Sequence, residues 1–259
     1  MNIYQLPFFS KRKKFGFEVD SSLPVCDGPV YTDVLSTIHQ IIKPDWYLEI
    51  GSRSGTSLTK CESNFIAIDP EFAISAPVFN TAKRMIFCQQ ASDDFFETDF
   101  LAENNISPCL AFIDGMHLFE FALRDFINCE KSMKRNSAIC FHDVLPFNVP
   151  MTTRDLDYVK TDNRPWTGDV WKTMAILLKY RPDLKIKIID SKKTGLAYVS
   201  NLDSENTILE ENYSEITDEY LNMSFSNSGY SEYYDLFKVE NTETFLLDLK
   251  QQAATTSSQ

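Results

Sequence analysis

The strongest constraint on this chain is an alternation. Seven short apolar segments, rich in β-branched or aromatic residues, fall at 46–50, 65–69, 85–89, 110–114, 138–142, 184–189 and 195–200. Segments of helical period lie among them, at 30–42, about 56–61, 93–104, 119–133 and 169–179. The clearest is 119–133. There Phe119, Ala122, Leu123, Phe126, Ile127 and Met133 recur at helical spacing, with Arg124, Asp125, Lys131 and Lys134 mostly on the other side. Strand–helix alternation predicts a largely parallel sheet covered on both faces, with any ligand held outside the carboxyl ends of the strands.

The bulk properties narrow the class. A chain of 259 residues, 43% hydrophobic, can bury a full core, and it has no apolar run long enough to span a membrane. At the N-terminus the basic cluster KRKK, 11–14, follows the apolar residues, so a secretory signal is not expected. The six cysteines at 26, 61, 88, 109, 129 and 140 form no CxxC pair, and a reducing cytoplasm is the expected compartment. The net charge of −12 is concentrated late, since 201–250 holds twelve acids against two lysines. Such a chain repels phosphate backbones, which argues against nucleic acid as a partner.

The chemistry-bearing residues sit at the ends of the apolar segments. The first runs into YLEIGSRSGTSL, where Gly51 and Gly55 flank a tight turn, Glu49 precedes it, and Ser52, Ser54 and Thr56 are placed to cap a helix. Glycines let a backbone approach a ligand, and a helix start offers unpaired N–H groups. The second segment ends in Asp69, about twenty residues on, where an acid can accept from both hydroxyls of a ribose. Alone, that residue reads equally well as a turn acid before Pro70. Together the two motifs favour a nucleoside-type ligand. The turn lacks the middle glycine of a dinucleotide site, and Glu49 would repel a pyrophosphate but suit a cationic ligand bearing an amino group.

This combination resembles the class I S-adenosylmethionine (SAM)-dependent methyltransferases, whose first motif reads E-x-G-x-x-x-G. QASDDF follows the third strand, where that family contacts adenine, so the resemblance makes Ser92 and Asp93 cofactor candidates. FIDGMH, 112–117, and FHD, 141–143, look like the fourth and fifth strand ends of the branch that includes catechol and antibiotic-sugar or macrolide O-methyltransferases. WTGDVWK, RPDL and TGLAYVS are similar to bacterial members of that branch, and the likeness covers about 30–200. It implies a Rossmann-like, mostly parallel seven-stranded sheet whose last strand is antiparallel, and a methyl transfer to oxygen of a small hydroxylated acceptor such as a sugar. It further implies that Glu49, Gly51, Ser52, Gly55, Asp69, Ser92, Asp93 and Asp114 bind the cofactor. In that branch, acids at strand ends four and five hold a divalent ion, usually magnesium, which makes Asp114 and Asp143 metal candidates. Two departures stand against this. His142 replaces one of two consecutive acids, and Met116 stands where some relatives carry a second acid.

His117, His142 and Asp114 are the catalytic candidates, since a neutral imidazole suits removal of a hydroxyl proton. The histidines have structural alternatives: His117 as a cap for the helix after it, His142 as a packing residue under the sheet. Asp169 suggests a helix cap, while Lys172 and Arg154 are candidates to face the substrate. The expected organisation is an arm over 1–29, the methyltransferase domain over 30–200, an acidic helical appendage over 201–252, and a disordered tail over 253–259. A homo-oligomer stays open at this stage. So do two rival readings, a non-catalytic ligand- or partner-binding member of the fold and an NAD-dependent oxidoreductase.

Overall fold

The computed structural model describes residues 26–79, 84–157, 165–225 and 233–256. Most of the expected N-terminal arm, with KRKK, lies outside the described residues, as do 257–259 of the expected tail. One seven-stranded sheet organises the chain in the order β3-β2-β1-β4-β5-β7-β6. Its strands are β1 (Trp46–Ile50), β2 (Asn64–Ile68), β3 (Met85–Cys88), β4 (Leu110–Ile113), β5 (Ala138–His142), β6 (Lys185–Ile189) and β7 (Leu196–Ser200). The first five pair in parallel, and β7 runs antiparallel to both β5 and β6. The mostly parallel sheet with an antiparallel last strand is the expected one.

Chain order reverses between β1 and β4. From β1 the chain winds outward through β2 to β3, then returns to lay β4 on the other side of β1. In open α/β sheets the loops splay apart at such a reversal and leave a crevice at the strand carboxyl ends. That crevice positions the candidate site.

Both faces of the sheet are buried, as parallel pairing requires. On one face Leu48, Ile50, Ala111, Ile113, Ile139 and Phe141 pack under α4 (Phe119–Lys131) and α5 (Trp171–Tyr180). On the other, Tyr47, Phe65, Phe112 and Cys140 pack under α1 (Tyr31–Ile42) and the C-terminal helix. The predicted helix over 93–104 is two short pieces, α2 (Ser92–Phe96) and α3 (Phe100–Glu103). Thr98 interrupts them, its hydroxyl donating back to the Phe95 carbonyl. The segment at 56–61 closes as a 3₁₀ turn, Ser57–Lys60.

The acidic region is built into the domain. Helices α6 (Ile208–Glu211) and α7 (Tyr213–Leu221) bury Leu209, Ile216 and Tyr220 in the α4–α5 core. The last helix, α8 (Thr242–Thr256), lies on α1 and buries Phe245 and Leu249, with the Phe245 ring against Tyr198 of β7. It continues through 253–256, where the sequence composition suggests a disordered tail. No helix among the described residues is long and apolar enough to cross a membrane.

Candidate active site at the strand carboxyl edge

The glycine turn after β1 is tied to the end of β4. Gly51 has φ +89, its N–H donates to the Ile68 carbonyl (2.8 Å), and a Cβ there would lie 2.1 Å from the Asp114 carbonyl oxygen. Only glycine permits so close an approach of two strand ends. Glu49 is fully buried, its two oxygens accepting from the Tyr47 hydroxyl and the Ser57 hydroxyl, each at 2.6 Å. Burial pushes its carboxyl up to about 7, although these hydroxyls pull the other way. Ser52 lies against it, yet its buried hydroxyl makes no hydrogen bond of proper geometry. Asp69 accepts from the backbone N–H groups of Arg53 and Glu71, both at 2.8 Å, and so pins the turn after β1 to the end of β2. Burial raises its pKa.

At the ends of β4 and β5 four side chains converge. His117 Nδ1 lies 2.8 Å from the Trp166 carbonyl and 3.3 Å from Asp143 Oδ2, and its Nε2 lies 3.4 Å from Asp114 Oδ1. His142 Nδ1 lies 3.3 Å from Asp114 Oδ1 and 3.4 Å from Asp143 Oδ1, with the Thr194 hydroxyl 3.3 Å from its Nε2. Burial alone would discharge His117, but Asp143 and Asp114 outweigh it and hold the imidazolium up to about 9. The same balance raises His142. Burial pushes Asp114 up, and the two rings more than reverse this, holding it well below the usual carboxylate range. Asp143 carries a φ of +60, an uncommon left-handed backbone for a residue other than glycine at a strand end.

The segment 145–157 and 165–170 covers this cluster. Gly168, φ +52, passes so close to His117 that a Cβ would lie 1.6 Å from the His117 carbonyl oxygen. The Trp166 ring tilts over the imidazole at 5.1 Å and anchors its indole N–H on the Thr153 carbonyl (2.7 Å). His117 does not cap the helix after it. That task falls to Asp169, whose Oδ1 accepts from the Phe119 N–H at 2.9 Å. Asp169 also holds Arg154 (2.6 Å) and the buried Lys172 (2.9 Å), so both basic candidates are engaged in a structural network with Asp169 and Glu120.

The remaining candidates separate. Asp93 pairs with Arg124, whose Nη2 lies 2.7 Å from Oδ2, while the Arg124 Nη1 donates to the Tyr213 hydroxyl. Asp125 faces inward at 2% exposure, against the outward placement its neighbours in sequence suggest. Tyr31 is a further residue that pattern reading passes over. Its ring tilts against His142 with centroids 4.0 Å apart, and Asp114, Glu49 and Asp143 add to burial in raising its hydroxyl pKa. One signal was available: a helix that immediately precedes the central strand and packs antiparallel to it begins at the carboxyl edge.

The strand order and the reversal at β1/β4 define the Rossmann-like class I methyltransferase fold. No protein-family model matches the chain, and no curated protein matches it. Solved structures similar to it include the O-methyltransferase TomG from Streptomyces achromogenes, in complex with SAM (16% identity, 66% of this chain and 78% of that one, TM-score 0.47). An O-methyltransferase from Bacillus cereus in complex with SAH is similar at 16% identity, over 70% of this chain and 85% of that one, TM-score 0.48. The SAH-bound methyltransferase PaMTH1 of Podospora anserina is similar at 14% identity, over 67% and 78%, TM-score 0.43.

Proposed function

We propose that this chain is a SAM-dependent methyltransferase acting on an oxygen of a small hydroxylated acceptor, such as a sugar moiety. The observation that carries the reading is the abutment of the glycine turn on the acid–histidine cluster, Gly51 against the Asp114 carbonyl. A nucleoside cofactor held by that turn would bring its reactive end to the groups that could handle an acceptor hydroxyl. In this reading Glu49 and Ser52 serve the methionine end, Gly51 and Gly55 give backbone access, and Asp69 takes the ribose. Methyl transfer between two bound partners needs mainly alignment, so most of the catalysis would come from holding donor and acceptor in line.

Asp114, Asp143 and His117 place their ligand atoms within 4.8 Å of one another, a donor set that fits a divalent ion. These three residues would hold it, and it would lower the pKa of the acceptor hydroxyl there. The imidazole favours a softer ion than magnesium, so manganese should serve at least as well. His142 flanks the cluster, wedged between Tyr31 and Thr194, and is the second candidate base. A non-catalytic reading draws on one specific feature. The His117 imidazolium already bridges the two carboxylates and offsets part of their charge without any ion.

The test is calorimetry with SAM and SAH, followed by a methyl-transfer assay across sugars and catechols with and without EDTA. The proposal expects binding, and activity that EDTA abolishes and manganese or magnesium restores. Absence of SAM binding sinks it. Binding without transfer to any acceptor favours the non-catalytic reading.

A further inference from the structure

Helices α1 and α8 leave a groove between them on the outside of the molecule, with a volume of about 760 Å³. Ile41 and Ile42 line it from α1, and Leu246 and Leu247 from α8, with Glu243 and Lys250 on either side of the leucines. Phe245 and Leu249 of α8 are spent on the core, but Leu247 stands 60% exposed on the groove wall. A lone surface leucine is ordinary, whereas apolar side chains gathered in a concave, charge-rimmed surface mark a contact site. Residues 243, 246, 247 and 250 are spaced three and four apart, so they form one stripe along the helix. Leucines occupy its middle, and the acid and the base stand equally far from that middle. Two helical turns, about 10 Å, separate Glu243 from Lys250. Neither side chain makes an ion pair among the described residues.

We propose that this groove docks a second copy of the chain, α8 lying antiparallel on the α8 of that copy. A two-fold axis passing between Leu246 and Leu247 brings the leucines of both copies together and sets each Glu243 against the partner's Lys250. The stripe complements itself in this arrangement alone, because a parallel pair would set acid against acid and base against base. One helix pair covers less area than a permanent dimer buries, so the association is reversible, with a Kd on the order of 10 μM. The groove takes in the last turns of α1 and Lys43 beyond them, which lead into the amino end of β1. The second copy therefore sits away from the crevice at the strand carboxyl ends and leaves it open. The inference holds whatever that crevice binds.

Sedimentation velocity of the full chain over a concentration range of about 1–200 μM tests this. A monomer–dimer equilibrium is expected for the wild-type protein. Glu243→Lys alone and Lys250→Glu alone each create two like-charge contacts per dimer, and each should weaken association about tenfold or more. Mixed in equal amounts, these two variants should associate with each other about as tightly as the wild type, since every facing pair is then of opposite charge. Should either reversal fail to fold, Leu247→Ser takes its place and is expected to weaken association by a similar factor. A wild-type chain that stays monomeric throughout the range overturns the proposal and leaves the groove to a different partner. A dimer that the reversals leave at wild-type strength overturns it too, as does a mixture of the two variants that stays monomeric.

Discussion

Tyr47 touches two buried titratable groups whose pH dependences oppose each other. Its hydroxyl donates to Glu49, and its ring meets His39 edge-on at 4.4 Å. Burial lifts Glu49 from 4.5 to about 7, so its contribution to stability is full below the unfolded value and is lost as pH rises through 7. Burial lowers His39 from 6.5 to about 4, so its contribution holds above the unfolded value and is lost as pH falls through 4. Glu49→Gln should therefore flatten the alkaline side of the stability profile. The expected gain at pH 8 is on the order of 3 kcal/mol, less whatever the second hydroxyl loses, measured by urea unfolding across pH. His39→Phe should flatten the acid side instead. Residues at strand ends were legible because an acid or histidine that closes an apolar run breaks a strong pattern, as in Asp69, Asp114 and Asp143. Asp125 was not legible. It sits among Arg124, Lys131 and Lys134, and only the register of α4 against Ser92 and Gly115 turns it inward.

At the scale of elements, the stretch 165–170 works as a strap whose parts are separately testable. Asp169 caps α4 and neutralises Lys172, itself 1% exposed. Asp169→Ala leaves a buried ammonium and an uncapped helix start, and should cost about 3–5 kcal/mol in chemical denaturation. Gly168→Ala cannot be accommodated against the His117 carbonyl, so any folded protein it gives should have a displaced strap and lost activity. The loop after β5 has its own restraints. Tyr233 donates to the Val144 carbonyl (2.8 Å) and Tyr234 to the Pro146 carbonyl (2.7 Å), one and three residues beyond Asp143. Tyr233→Phe should cost about 1 kcal/mol of stability and lower kcat several-fold with SAM affinity retained, as steady-state kinetics beside calorimetry would show. All seven strands could be placed from sequence to within a residue or so at each end, because a buried parallel strand is a continuous apolar run between breakers. The break in 93–104 and the clamping tyrosines could not, because each depends on which carbonyl a hydroxyl happens to meet.

Across the whole molecule, the sheet brings residues from four separate strand ends to one edge, and its reversal between β1 and β4 decides where that edge opens. Alternation and the glycine turn made the sheet readable. How the acidic region packs was not legible, because charge on its outer face hides the apolar positions that enter the core: Leu209, Ile216, Phe245 and Leu249. Its last helix closes the face begun by α1, and that pairing bears on how the chain acquires its structure. The helix that shields Leu35 and Ile38 is drawn from the far end of the sequence, so this contact has about the longest loop to close of any in the fold. Until α8 emerges from the ribosome, the α1 side of the sheet stays open to other chains. A chain ending at 241 should thus be collected as aggregate, and refolding of the full chain should slow as protein concentration rises.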